Sequence, residues 1–445
     1  MTSYYSGTTL ASLRQENRPW NLSSTSDAAS KVLTGMGELK LMYSDQWDQA
    51  TNSGPDRDMR LYAEGGNPGG DIIILRNGRI GAGSYGNVYK AVAVQKDGTQ
   101  IPVVVKLGKK LYGGMTKSFR NELVVFWEQS SDPTCSQHLI CMYGAFTTNL
   151  NMTSISGQRY EALVLEKMDG DLERLARLVK SSGVSVDSML YMLVYIGLHM
   201  TYDIYMLHGA GYYHNDVKPA NFLYRWDPVS RKYRIKIADL GLVCNKEPSM
   251  SQRFAERAAM PNVFDISEIL AKMPERMSCY ALGTPNYMSP EMKELQERYV
   301  IKGATLEELR TLKANYNLTA PIVADVGRRD TKYLMRQPVT AELDVFEYND
   351  YFGIVMTLKT LAKLMMIKSA DPALACYNGT PVFQALVAPM DGLSLLEAYN
   401  KAVLYFIRTN VQLPAILPDS SLNAFEVGPM AEPQHPELSS ETEEV

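Results

Sequence analysis

The stretch Tyr213-His214-Asn215-Asp216-Val217-Lys218-Pro219-Ala220-Asn221-Phe222-Leu223 decides the reading of this chain. It carries a carboxylate, an amine and a side-chain amide at the spacing D-x-K-x-x-N: Asp216, Lys218 and Asn221. One short loop thus holds a proton acceptor, a cation and a side-chain amide, a density of chemically capable groups that solvated loop residues rarely show. Just before it stands the turn His208-Gly209-Ala210-Gly211, and before that Leu190 to Leu207, apolar nearly all round as in a central buried helix. Just after it, Tyr224 to Lys236 reads as a hairpin around Asp227-Pro228. The hairpin leads to Ile237-Ala238-Asp239-Leu240-Gly241.

The 445 residues allow two lobes plus tails. Hydrophobic residues at 45% and charged residues at 21% describe an ordinary globular composition and exclude a collagen-like or wholly disordered chain. The net charge of −4 argues against nucleic acid as a partner. Pro418 to Val445 holds seven acidic residues and no Lys or Arg, so 416–445 reads as an acidic tail. Its last residues could serve a peptide-binding domain or simply keep the tail solvated. Cys135, Cys141, Cys244, Cys279 and Cys376 show no C-x-x-C pair, and their scatter suits a reducing compartment better than a disulfide framework. No signal peptide is expected, and Met192 to Leu207, broken by His199 and Asp203, reads as a buried helix and not a membrane span. These features point to a cytoplasmic protein.

Residues 1–70 are rich in Ser, Thr, Gly and Asn and end in a glycine cluster. They read as an N-terminal extension, partly flexible, with helical patterning over Ala28 to Met42. From Asp71 the texture changes: Ile72 to Leu75, Val88 to Val94, Ile101 to Leu107 and Ala162 to Leu165 read as strands, and Lys117 to Gln129 has helical spacing. After Asp171 helices dominate, with candidates at Tyr351 to Ile367 and Leu395 to Phe406. Between them Asp239 to Ala341 reads as long and irregular.

Between two strand readings lies Gly81-Ala82-Gly83-Ser84-Tyr85-Gly86-Asn87-Val88. Glycines let backbone N–H groups approach phosphate oxygens unobstructed, and the same spacing also suits a plain glycine-rich hairpin. Lys106 ends Val103-Val104-Val105-Lys106, where a lysine is costly unless paired, and the next helix offers Glu122. Taken singly, a snorkelling lysine and a solvated glutamate explain both.

In order along the chain, these motifs resemble those of eukaryotic-type Ser/Thr protein kinases, from about Asp71 to about Arg408. The resemblance implies an α+β, bilobal fold: a small antiparallel sheet lobe over 71–166 and a larger, mainly helical lobe over 167–415. It implies ATP and Mg²⁺ as cofactors and a protein substrate with a Ser or Thr acceptor. Gly81, Gly83, Ser84 and Gly86 would cradle phosphates, and Lys106, oriented by Glu122, would hold the α- and β-phosphates. Glu166 to Met168 would form the adenine hinge, with Leu165 as gatekeeper and Val88, Val104 and Leu223 around the ring. Asp216 would act on the acceptor hydroxyl beside Lys218, and Asn221 and Asp239 would ligate Mg²⁺. Gly283-Thr284-Pro285-Asn286-Tyr287-Met288-Ser289-Pro290-Glu291 would close the activation segment, with Thr284 tied to Asp216 and Lys218. Asp350-Tyr351-Phe352-Gly353 looks like the start of the helix that anchors the catalytic loop, with Asp344 as a competing register.

The departures are informative. Asn215 stands where regulated kinases carry the Arg that receives a loop phosphate, so constitutive activity, or activation by another route, is expected. The segment 239–291 is long. The His-Asn-Asp and Asp-Leu-Gly variants are similar to those of effector kinases that bacterial pathogens deliver into a host cell cytosol. Two other readings remain at this level: a pseudokinase scaffold, disfavoured because Lys106, Asp216 and Asp239 are all retained, and a small-molecule kinase, disfavoured by the Gly283 to Glu291 platform.

Overall fold

The run Ile72-Ile73-Ile74-Leu75 is buried throughout, which a strand achieves only when both of its faces are covered. It belongs to β3 (Asp71–Ala82), which pairs antiparallel with β4 (Gly86–Val94), and β4 pairs with β5 (Gln100–Gly108). β7 (Gln158–Glu166) follows beside β5, and β6 (Met142–Leu150) beside β7. The computed structural model describes residues 39–41, 59–63, 71–82, 86–94, 100–108, 121–122, 125–126, 138–150, 158–227, 231–246, 278–303, 305–315, 322–325, 332–336, 339, 341–367 and 392–415. Most of the leader, Gly83 to Tyr85, residues 247–277 and the tail from 416 lie outside them.

Two further strands come from the stretch read as an extension. β1 (Leu39–Leu41) pairs antiparallel with β2 (Met59–Ala63), and β2 with β3. The helical patterning over 28–42 is therefore corrected at 39–41, where Leu-Lys-Leu alternates with a period of two. β1 also lies parallel to β6, Leu39 opposite Thr148, and so closes the sheet into a barrel of order β1-β2-β3-β4-β5-β7-β6.

The larger lobe is built on one buried helix. After the two-residue β8 (Gly170–Asp171), Asp171 caps α1 (Leu172–Ser181) by accepting from the Arg174 N–H. α2 (Val186–Gly209) starts at Ser185, whose side chain accepts from the Ser188 N–H. Its 24 residues span about 36 Å, and it is buried from Met189 to Ile204. β9 (Tyr212–Tyr213) leads into the loop quoted first, which passes through a 3₁₀ turn at Pro219–Asn221 into β10 (Phe222–Asp227). β10 and β11 (Lys232–Ile237) form the expected hairpin, Phe222 opposite Ile237, and β12 (Cys244–Asn245) returns to pair with β9.

The region read as irregular carries defined elements. Ser289 caps α3 (Pro290–Arg298), whose first residue, proline, has the fixed φ a helix start favours. β13 (Val300–Gly303), α4 (Leu306–Asn315), β14 (Ile322–Asp325) and β15 (Lys332–Arg336) follow, with the strands in the order β13-β15-β14. α5 (Asp344–Leu364) and α6 (Gly392–Arg408) then pack on α2.

The scatter of cysteines is also corrected. Cys244 and Cys279, 35 residues apart in sequence, form a disulfide with a Cα separation of 5.0 Å, and Cys141 is disulfide-bonded as well. Sequence distance hid a pair that the β9–β12 ladder brings close, and the cysteine argument for a reducing compartment falls with it. Among the described residues no helix is long and apolar enough to cross a membrane.

Gly197 marks where α2, α5 and α6 cross. A Cβ there would lie 2.9 Å from Leu358 Cδ1 and 3.0 Å from the Tyr399 ring, inside van der Waals contact. Gly197→Ala is expected to lower stability by about 1–3 kcal/mol through overpacking, although alanine is the better helix former. Urea unfolding of the two proteins measures this.

Candidate active site

Asp350, fully buried on α5, organises the loop. Its Oδ2 accepts from the His214 N–H at 2.7 Å and its Oδ1 from the Asn215 N–H at 2.8 Å. His208 Nε2, at the end of α2, lies 2.9 Å from Oδ2. The two candidate registers for the anchoring aspartate are thereby separated: Asp350 holds the loop, and Asp344 is the first residue of the helix. Asn215 sits at φ 65°, a left-handed conformation that asparagine tolerates better than most residues. Its side-chain amide donates to the Tyr280 carbonyl at 2.8 Å. Burial holds the His214 imidazole below its usual pKa despite neighbouring carboxylates, and its Nδ1 accepts from the Asp216 N–H at 3.2 Å.

The next groups converge on Asp216. Lys218 Nζ donates to Asp216 Oδ2 at 2.6 Å and to the Thr284 hydroxyl at 2.9 Å. That hydroxyl donates to Asp216 Oδ1 at 2.7 Å, and the Thr284 N–H donates to the same oxygen at 3.0 Å. Asn221 Nδ2 donates to the Asp216 carbonyl at 2.8 Å and to Oδ2 at 3.0 Å. Asp216 is thus held in one orientation by groups from both sides of the cleft floor.

A second cluster comes from the sheet lobe. Lys106 Nζ bonds both Glu122 oxygens, at 2.8 and 2.6 Å, and lies 3.3 Å from Asp239 Oδ1. Burial opposes charge on Lys106, but Glu122 and Asp239 more than offset it, and the amine is held above its ordinary pKa. Burial likewise pushes Asp239 up; Lys106 and the Gly241 N–H at 3.1 Å outweigh that, leaving its carboxyl below the usual range. Glu122 stands on a helical turn beside Asn121, whose amide donates to the Val243 carbonyl at 3.2 Å, tying this turn to the chain after Gly241.

The two clusters touch through the backbone, where the Ala238 N–H donates to the Asn221 carbonyl at 2.9 Å. Asn221 uses its NH₂ on Asp216, which turns its amide oxygen into the remaining donor atom. An amide oxygen and a cleft-facing carboxylate, 39% exposed at Asp239, form a donor set that suits Mg²⁺. Among the described residues no group of three or more His, Cys, Asp or Glu could hold a metal alone.

The residues expected around a nucleotide divide. Gly81 lies opposite Val88 and Gly86 opposite Gly108, while Gly83 and Ser84 lie outside the described residues. Gly86 is required where it stands: a Cβ would meet the Leu107 carbonyl oxygen at 2.7 Å. Val88 is the cross-strand partner of Lys106, Val104 precedes Lys106 by two and lies opposite Leu165, so all four share one face. Leu223 is half-buried on β10 and Met168 is buried beyond β7. The Glu166 carboxylate does not join them. It turns inward to Lys236 Nζ at 2.8 Å and the Cys141 N–H at 3.1 Å, with Arg225 at 3.6 Å. Sequence reading missed Lys236 and the Asn215–Tyr280 bond. The first had a signal, a lysine between buried strand residues; the second had none.

Asp350→Asn keeps the shape of the anchor but points an NH₂ group at a backbone donor. A loss of about 1–3 kcal/mol and faster amide hydrogen exchange at His214 and Asn215 are expected, read by mass spectrometry.

No curated protein matches this chain. A solved structure titled "ROP18 kinase domain in complex with AMP-PNP and sucrose" is similar at 15% identity and a TM-score of 0.46, covering 82% of this chain and 89% of that one. The sequence model of the protein kinase domain matches residues 75–302, from within β3 to within β13. That match spans just over half of the 445 residues, and the chain belongs to the protein kinase family.

Proposed function

We propose that this protein is an active Ser/Thr protein kinase that transfers the γ-phosphoryl group of ATP to Ser or Thr hydroxyls of protein substrates. The observation that carries the reading is the Asp216 carboxylate, held at once by Lys218, Asn221 and Thr284. Phosphoryl transfer needs positioning and charge stabilisation more than covalent chemistry from the protein, and both are provided for.

In this mechanism Asp216 accepts a hydrogen bond from the substrate hydroxyl, aims its oxygen at the γ-phosphorus and takes the proton as that O–P bond forms. The bond from the γ-phosphorus to the bridging oxygen breaks, and ADP leaves. Lys218, bonded to Asp216 Oδ2 at 2.6 Å, is one cation for the phosphoryl oxygens in flight. Lys106, kept charged and aimed by Glu122, holds the α- and β-phosphates. Asn221 and Asp239 are the residues that would hold Mg²⁺, which supplies positive charge to the phosphate oxygens when bound. Val88, Val104, Leu165 and Leu223 provide the apolar surroundings for adenine, and the hinge serves it through backbone groups, since the Glu166 carboxylate is engaged elsewhere.

Lys218 two residues after Asp216, and bonded to Thr284, supports hydroxyls of Ser and Thr as acceptors in preference to Tyr. Asn215 offers no cation to a loop phosphate, which supports activity that does not wait for the usual phosphate switch.

The test is transfer of labelled phosphate from ATP to a generic Ser/Thr substrate with Mg²⁺, beside Asp216→Ala. Phosphoserine or phosphothreonine is expected, falling about 10²–10⁴-fold in the variant and lost on chelation of the metal. ATP binding without transfer, or phosphotyrosine alone, would overturn the reading.

A further inference from the structure

The segment that leaves the metal-binding aspartate and returns as the peptide platform is stapled across its base. Cys244 follows Gly241 by three residues and Cys279 precedes Gly283 by four. Their disulfide therefore ties the chain just after Gly241 to the chain just before Gly283. Both cysteines are buried, in a small apolar cluster with Tyr213, Met288, Val339 and Phe346 under the platform.

Each side of the staple is tied to the catalytic loop. On one side Cys244 is the ladder partner of Tyr213, the residue before His214. On the other, the Cys279 carbonyl accepts from the Val339 N–H at 2.7 Å, and the next carbonyl, that of Tyr280, accepts from the Asn215 amide at 2.8 Å. Four residues on, Thr284 bonds Asp216 and Lys218. A short chain thus runs from the sulfurs to the reacting centre with a fixed contact at either end.

Phosphorylation orders such a segment by adding negative charge that a nearby cation collects. Here the position before Asp216 is Asn215, and Lys246, beyond Cys244, is engaged by Glu347 at 2.7 Å and lies over the Tyr213 ring at 5.7 Å. A covalent bond and a neutral amide hold the first residues of the segment, where Arg336 also reaches the Ala281 carbonyl at 3.4 Å.

We infer that the Cys244–Cys279 disulfide, with the Asn215 amide, positions the peptide-accepting segment 279–289 in its working place without phosphorylation. Both are positioning groups; neither touches the reacting atoms. The inference rests on the protein-kinase reading and adds what holds the platform and in which chemical setting. The bond forms when the two thiols give two electrons and two protons to a disulfide oxidant such as oxidised glutathione, which leaves as two thiols. Protein that has met no such oxidant carries a loosened platform.

The test uses the full chain in oxidised form, beside Cys244→Ser/Cys279→Ser and Asn215→Gly, which keeps the positive φ. In the double variant the peptide KM is expected to rise about tenfold or more, while the nucleotide Kd stays within about twofold. Amide exchange at Thr284 is expected to quicken about tenfold, and Asn215→Gly to shift both peptide KM and exchange the same way by about fivefold. A merely structural role would lower kcat through the active fraction and leave KM and exchange unmoved; that outcome overturns the inference. So does a double variant matching the wild type. If the double variant does not fold, wild type treated with a dithiol replaces it, at a dose where alkylation labels 244 and 279 and leaves Cys141 bonded. If the oxidised wild type transfers no phosphate at all, the kinase reading fails, and Thr284 exchange still decides the staple.

Discussion

A single carboxylate, fully enclosed, sets the geometry of the lower lobe. Asp350 accepts from two successive backbone N–H groups and faces an imidazole nitrogen, so both of its oxygens are engaged. A carboxyl at that depth is tolerated only with such partners, and the partners are equally constrained by it. The loop from His214 to Asn221 therefore cannot drift along its helix. Asp216, the residue after the two anchored amides, inherits a fixed direction from them.

The same logic recurs across the cleft. Lys106, Glu122 and Asp239 come from a strand, a helical turn and the end of a hairpin, and the buried Lys106 and Glu122 are acceptable where they stand because each has the other, with Asp239 beside the lysine. Glu166 and Lys236 form a third such pairing, between the last strand of the barrel and β11 of the helical lobe. The lobes thus meet through paired charges as well as through an apolar cluster that runs from Leu163 and Leu165 to Phe222 and Ile237.

Much of this could be read in advance, for definite reasons. Motif residues around Asp216 and Asp239 sit at short, rigid spacings, and β10 with β11 follows from a hairpin whose turn is written in Asp227-Pro228. α2 was visible because burial on all sides leaves no polar face to confuse the period. What escaped was non-local. Cys244 and Cys279 meet because β12 folds back on β9 while Val339 and Asn215 hold the chain at Cys279 and Tyr280. Asn215 looked like the mere loss of an arginine, and its bond to Tyr280 depends on a chain that returns 65 residues later. β13, β14 and β15 are four or five residues each, too short for a periodicity to declare itself. Lys236 could have been found by the argument that singled out Lys106, since a lysine between buried isoleucines asks for a carboxylate.

The barrel closure bears on how the molecule can be divided. β1 satisfies hydrogen-bonding groups along both β2 and β6, so the small lobe has no free strand edge where it closes. A polypeptide trimmed at Asp71, where the family resemblance begins, would expose one side of β3 and one side of β6. Two bare edges invite strands from neighbouring molecules, and self-association would follow from truncation alone. The closed small lobe of this chain therefore includes Leu39–Leu41, inside what its composition presents as a leader.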